Sequence, residues 1–252
     1  LQQFEKIAQQ FDLLDKHICK VERFIDNYEE SNWSYTFVPA EAQKLSKFEF
    51  KPIDVSEFAQ SMVFDRADKV IFMSATILSK TNFCQLLGLK EEEVGYIKVE
   101  SPFPIENRPV AYSGVGKMTA SEIDKTLPKL AQAVQAILEG HPNEKGIIHA
   151  HSYKIANYIA RNVKSKRLLT HESHDRDQVL QKHEKSKSPT VLVSPSMQEG
   201  VDLKGDLSRF QIICKVPYPY LGDKVVKKRM YKWKWWYDYE TLKTVVQSIG
   251  RS

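Results

Sequence analysis

Between Thr119 and Val216 the sequence switches repeatedly between two hydrophobic periods, and no other feature restricts the fold as strongly. Apolar runs too short for helices stand at Gly146-Ile-Ile-His-Ala150, Arg167 to Thr170, Thr190 to Ser194 and Phe210 to Val216. Helical faces lie around and between them. One carries Ile123, Leu127, Leu130, Ala131, Val134, Ile137 and Leu138, a second carries Ile155, Ala156, Ile159, Ala160 and Val163, and a third helix spans about 175–185. Thr119-Ala-Ser-Glu122 has the form of a capping box for the first, and Ser152 is placed to cap the second. Strands that alternate with helices at this spacing imply an α/β fold: parallel strands need crossovers, and the crossover helices cover both faces of the sheet. In such sheets ligands gather at the carboxyl ends of the strands.

The residues upstream follow other patterns. Phe4, Ile7, Phe11, Leu14, Ile18, Val21, Ile25 and Tyr28 alternate spacings of three and four, which predicts a long helix over residues 1–30 with one narrow apolar seam. The seam requires a partner helix, in this polypeptide or on another chain. Trp33 to Val38 and Phe48 to Ile53 read as two strands joined by a short helical turn, with Pro39 and Pro52 as stops. Lys69-Val-Ile-Phe-Met73 is a continuous apolar run of the kind that forms a strand buried on both faces.

Composition excludes several classes. With 252 residues, 42% hydrophobic and 27% charged, the chain is globular rather than disordered or collagen-like. No apolar run approaches the roughly 18 residues of a membrane span, and the first residues lack a signal peptide, so a cytoplasmic protein is expected, or a nuclear one in a eukaryote. It begins at Leu1 rather than Met, which leads us to expect a piece of something longer. Cys19, Cys84 and Cys214 lie too far apart in sequence to form a short-spaced metal motif and read as reduced, buried, cytosolic thiols. Charge is split: residues 1–60 carry 7 Lys/Arg against 11 Asp/Glu, and residues 204–252 carry 11 against 4. The basic end interleaves Tyr231, Trp233, Trp235, Trp236 and Tyr237 with lysines. This suits an anionic, stackable partner such as nucleic acid, or equally a solvated basic face whose aromatics belong to a core.

Four polar segments at strand ends or at the end of the chain are candidate sites. Ser74-Ala75-Thr76 follows the 69–73 run. His151-Ser152-Tyr153-Lys154 follows the 146–150 strand, where helix N–H groups, a hydroxyl and an ammonium suit a phosphate. Ser194-Pro-Ser196-Met-Gln-Glu199-Gly200-Val-Asp202-Leu-Lys-Gly205-Asp206 is a glycine-punctuated loop after a buried strand, and Gln247-Ser-Ile-Gly250-Arg251-Ser252 closes the chain. Taken singly, each serves equally well as a cap or a turn.

In this order and with this content the four segments resemble motifs III to VI of superfamily 2 helicases, and more narrowly the XPD/DinG family of DNA helicases. Val55-Ser56-Glu57, Val70 to Ile77, Ser101-Pro102-Phe103, Lys215-Val-Pro-Tyr-Pro219 and Gln247 to Arg251 carry the resemblance, which covers roughly residues 45–252. It implies a helix of the family's arch domain over 1–31, the last strands of a first helicase domain over 32–78, and a second RecA-like helicase domain over 79–252 that stops within motif VI. Ser74, Ala75 and Thr76 would then couple nucleotide state to DNA grip. Ser152, Tyr153, Lys154, Ser194 and Ser196 would line the track of single-stranded DNA, on phosphates rather than base edges. Glu199, Gly200 and Asp202 would face ATP, and Gln247 and Arg251 would approach its γ-phosphate, Arg251 as the arginine that offsets developing charge. The family motif places a second arginine three residues on, so which of the two is the finger stays open.

The resemblance also implies ATP and magnesium, both held mainly by the first helicase domain of the same polypeptide. Any iron–sulfur cluster would likewise lie there rather than in this chain. No phosphate loop is present: Gly116-Lys117 comes close, but Met118 stands where a hydroxyl is needed, and Ala111 where the first glycine is needed. The chain alone is therefore expected not to hydrolyse ATP. Six of the seven histidines fall between His141 and His183, which raises a zinc site, but no ordered ligand spacing supports one, and they read as polar lining with no metal. The expected function is a 5′ to 3′ DNA helicase or translocase with no membrane partner. The alternative is a non-motor nucleic-acid-binding or assembly module that keeps the RecA-like shape.

Overall fold

The computed structural model describes residues 2–40, 45–101, 104–197 and 201–250. They form two units interleaved along the sequence: Leu1–Phe72, Ser79–Gly95 and Tyr220–Tyr237 in one, and Met73–Leu78, Tyr96–Pro219 and Asp238–Ser252 in the other.

The second unit holds the parallel sheet. Strands β3 (Gly146–His149), β4 (Leu168–Thr170), β5 (Val191–Ser194) and β6 (Phe210–Ile213) lie in the order β4-β5-β3-β6, all parallel. Their alternating residues serve two cores. Ile148, Val191, Val193 and Ile212 pack with Leu127, Leu130, Val134 and Leu138 of α4 (Ile123–Gly140) and with Ile155, Ala156 and Ile159 of α5 (Tyr153–Asn162). Ile147 and Leu192 face the other way, onto Met197, Val201 and Leu203, with Val179 and Leu180 of α6 (Arg176–Lys185) beside them. Gly146 is required by close packing, because a Cβ there would lie 2.6 Å from the Phe210 ring. The expected helices and strands of this unit are all present. On two of the faces one residue turns outward: Ile137 on α4 and Ala160 on α5 are exposed. The capping box does not form. Thr119 O accepts the Glu122 and Ile123 N–H groups at 3.1 and 2.9 Å in a turn, and α4 starts after Glu122 without a side-chain cap.

The first unit begins with α1 (Gln2–Asp26), as the seam predicts. Most of the seam is exposed, with Phe4 at 76% and Phe11 at 71%, and no other described residue covers it. Only its foot is packed. Phe24 makes ring contacts with Tyr28 and Trp33 at 5.2 Å and with Phe50 at 4.7 Å. Trp33 and Phe50 belong to the antiparallel pair β1 (Trp33–Val38) and β2 (Lys47–Pro52). The helical turn expected between those strands falls largely on residues 41–44, outside the described residues. Helices α2 (Ser56–Met62), α3 (Lys80–Leu87) and α7 (Lys224–Lys232) complete the unit. Gly88 ends α3 in the left-handed region at φ 68°, where a Cβ would meet Ser56 at 2.8 Å.

Helix α7 decides between the two readings of the basic aromatic segment. Asp223 caps it, accepting the Val225 N–H at 2.7 Å. Lys228 donates to the Glu30 and Trp33 carbonyls at 2.6 and 2.8 Å, Arg229 to the Ile53 carbonyl at 2.8 Å, and Lys232 pairs with Asp54 at 2.7 Å. Trp233 and Trp236 are buried, and Trp235 Nε1 donates to Gln85 Oε1 at 3.0 Å. Lys228, Arg229, Lys232, Trp233 and Trp236 therefore hold the unit together, while Lys224, Lys227, Tyr231 and Lys234 stay exposed.

The strand expected at Lys69–Met73 is absent. Ile71 is 84% and Met73 90% exposed, and no described strand pairs with the run. A strand apolar on both faces needs sheet neighbours and a cover on each side; among the described residues this run has no strand neighbour, and Phe72 packs on Phe64 and Phe83 at 6.0 and 5.5 Å while Ile71 and Met73 stay exposed.

Candidate functional site

The carboxyl ends of β3, β4 and β5 converge through backbone and side-chain bonds. The Ala150 N–H donates to Ser194 O at 2.8 Å, joining the chain after β3 to the end of β5. After His151, whose φ is 52°, Ser152 caps α5 by accepting the Ile155 N–H at 3.3 Å. Tyr153 bonds Ser173 through its hydroxyl at 2.9 Å, and Lys154 pairs with Asp124 at 2.6 Å. Both members of that ion pair are largely exposed, so it is worth little and a stronger anion can replace the carboxylate.

Ser194 is placed differently from the expectation. It is 1% exposed, and its hydroxyl accepts the Ser196 and Met197 N–H groups at 3.2 and 2.9 Å while also meeting His171 Nε2 at 2.8 Å. A ligand cannot reach it. Ser196 is exposed, and so is Asp202, which pairs with Lys204 at 3.0 Å. Met197, Val201 and Leu203 are buried in the second core and fix this loop on either side of residues 198–200. Glu199, Gly200 and Arg251 lie outside the described residues, as do Pro102 and Phe103.

A second cluster forms where α8 (Trp236–Ile249) meets the Ser74–Thr76 turn. The Thr76 N–H donates to Ser74 Oγ at 3.1 Å, and the two hydroxyls lie 3.2 Å apart. Gln247 Nε2 donates to Thr76 Oγ1 at 3.4 Å, and Tyr239 Oη to the Ile77 carbonyl at 2.5 Å. The next residue, Leu78, has φ 59°, so α8 holds the two residues that lead into a left-handed residue that is not glycine. Thr76 and Tyr239 are buried, Gln247 is half-buried, and Ser74 and Ala75 are exposed. The structure thus brings Ser74, Thr76 and Gln247 together, residues 171 positions apart at the Gln247–Thr76 bond.

The electrostatics of the strand ends are set by burial. Burial, with His149 and Lys215 nearby, pushes the His151 imidazole down to about 4. Burial also pushes the Cys214 thiol, just beyond β6, up to about 12, which leaves it an inert packing group.

Residues 134–252 match the family model of the helicase C-terminal domain. The chain is also 28% identical over 182 residues to the ATP-dependent DNA helicase DinG of Photobacterium profundum, a match that covers 66% of this chain and 26% of that protein. Residues 134–252 are thus similar to a helicase C-terminal domain, and the chain is similar to part of a DinG helicase. It spans about a quarter of the length of that DinG relative. The four-stranded parallel sheet with helices on both faces is the RecA-like architecture of such a region. Among the described residues no helix is long and apolar enough to cross a membrane.

Sequence reasoning gave no individual role to several residues that shape these two clusters. His171 directly follows β4, so the strand-end rule alone would have found it. Tyr239 precedes Gln247 by eight residues, a little over two turns at about 3.6 residues per turn, and so shares its side of α8. Asp124 gave no signal, because its contact with Lys154 depends on how α4 and α5 pack.

Proposed function

We propose that this region is the C-terminal motor half of an ATP-dependent DNA helicase or translocase that moves 5′ to 3′ along single-stranded DNA. The observation that carries the reading is the hydrogen bond between Gln247 and Thr76. It links a group suited to the phosphate end of a nucleotide with the turn that follows the 69–73 run, and Tyr239 holds the same turn from two helical turns away. A motor needs such a link, because nucleotide state must be transmitted to the DNA grip by groups with two arrangements.

Neutral amide and hydroxyl groups such as Gln247 and Ser74 suit a phosphate chain whose charge is balanced elsewhere. In this reading ATP and magnesium are held mainly by a first helicase domain, with Glu199, Gly200, Asp202, Gln247 and Arg251 completing the site from this side. When bound, ATP supplies the free energy of phosphoryl transfer. Arg251 offsets the charge that develops on the transferring group, and Gln247 relays its own displacement to Thr76. On the sheet side, Ser152, Tyr153, Lys154 and Ser196 contact DNA phosphates, so binding is tolerant of sequence and weakens with salt. The burial of Trp233 and Trp236 counts against the rival reading, a non-motor module that uses the 224–237 segment as a stacking platform.

The test is Arg251→Ala in a polypeptide that joins these residues to a first helicase domain. DNA-stimulated ATP hydrolysis is expected to fall by about a hundredfold or more, on the scale of other arginine fingers. Undiminished turnover removes Arg251 from the mechanism.

A further inference from the structure

The hydroxyl of Ser194 has a hydrogen-bond arithmetic with one solution. A serine oxygen accepts two hydrogen bonds and donates one. Both acceptor positions are filled by the backbone N–H groups of Ser196 and Met197, at 3.2 and 2.9 Å. The hydroxyl proton is left for His171 Nε2, 2.8 Å away. That nitrogen must then be the acceptor, which puts the imidazole proton on Nδ1, where it meets the Glu172 carbonyl at 3.0 Å. The Glu172 backbone is held on its other side as well, its N–H donating to Asp175 Oδ1 at 2.7 Å beside the start of α6. Ser194 and His171 are both buried, and the chain of bonds ends at the exposed Ser196.

From this we infer that His171 is a positioning residue for the single-strand track: through the Ser194 hydroxyl it fixes the turn that presents Ser196. The inference rests on the proposal that the strand ends carry DNA. It assigns the task of shaping the track to a histidine that touches no ligand, and it moves Ser194 from contact to support. An apolar side chain at 171 would leave the Ser194 proton buried without an acceptor, and the hydroxyl would rotate away from one of its two N–H donors. Glutamine offers a carbonyl oxygen within reach of the same proton, so it is the conservative replacement.

The experiment measures the affinity of the full chain for a fluorescent oligothymidylate by anisotropy at low salt, with each variant's melting temperature recorded so that affinity is expressed per folded molecule. Ser196→Ala is expected to weaken binding by about fivefold, within the range for loss of one ordinary hydrogen bond. His171→Leu is expected to do the same, His171→Gln to stay within about twofold of the parent, and the double variant His171→Leu/Ser196→Ala to bind no more weakly than either single one. Ser194→Ala, which removes the acceptor of both N–H groups directly, is expected to lose at least as much as His171→Leu and serves where His171→Leu does not fold. Losses that multiply in the double variant would overturn the inference, as would parental affinity in both Ser194→Ala and His171→Leu, or a Ser196→Ala variant that binds like the parent. If the parent itself fails to bind the oligothymidylate, the DNA-track reading fails, and this inference falls with it.

Discussion

The histidines at and behind the strand ends tie this region's stability to pH. His151 follows β3 with its imidazole pushed down to about 4 by burial, His149 and Lys215. His183 is fully buried on α6, with Nε2 donating to the Leu207 carbonyl at 2.8 Å and Nδ1 accepting from the Thr190 hydroxyl at 2.9 Å, and burial lowers its pKa too. Both rings bind a proton more readily in the unfolded chain, where imidazoles titrate near about 6.5. Their contribution to stability is therefore complete above that value and is lost as pH falls from there toward about 4, the folded value for His151. The melting temperature, followed from about pH 7.5 to about pH 4.5, is expected to fall most steeply below about 6.5. His151→Gln should flatten part of that slope, and an equal slope in parent and variant would contradict the assignment. At this scale the sequence is legible where one residue does one local job, as Ser152 does in capping α5. It is not legible at Ser194, because a serine at a strand end looks the same whether its hydroxyl faces solvent or, as here, two N–H groups and a buried imidazole.

Among the elements, α7 and the start of α8 illustrate how composition can mislead. Alternating lysines and tryptophans suggest a surface for nucleic acid, yet Lys228, Arg229 and Lys232 are engaged with backbone carbonyls and Asp54, and Trp233 and Trp236 lie in the core of the first unit. Trp233→Ala and Trp236→Ala are each expected to cost about 3–5 kcal/mol of stability in chemical denaturation. Affinity for single-stranded DNA, counted per folded molecule, should not change, and a loss of affinity without a loss of stability would restore the stacking role. Helix α1 and the Lys69–Met73 run show the opposite limit. Their apolar patterns predict a helix and a strand, but the pattern states only that a face must be covered and never what covers it. Helix formation is local, so α1 is present with its seam exposed, whereas a strand exists only through its strand neighbours, and no described strand pairs with 69–73. The failed capping box has a similar cause: Thr119 bonds through its carbonyl in a turn, and the helix starts only after Glu122.

For the molecule as a whole, the alternation of short apolar runs with amphipathic helices determines the sheet, because each period is local and the handed crossovers leave few ways to connect them. All four strands between β3 and β6 lie where that alternation puts them. The division into units is harder to read, since residues 79–95 and 220–237 cluster with the N-terminal segment and residues 73–78 with the sheet, and nothing in local periodicity records contacts over such separations. The candidate site inherits both properties. Its sheet half follows from strand ends, while the pairing of Thr76 with Gln247 rests on long-range packing that motif order could suggest but spacing could not. The central claim is that these groups drive movement along DNA, and strand displacement tests it most directly. A polypeptide uniting this region with a first helicase domain should, given ATP, unwind a duplex with a 5′ single-stranded tail and leave one with a 3′ tail intact. Failure to separate either duplex under conditions where ATP is hydrolysed and single-stranded DNA is bound would contradict the account.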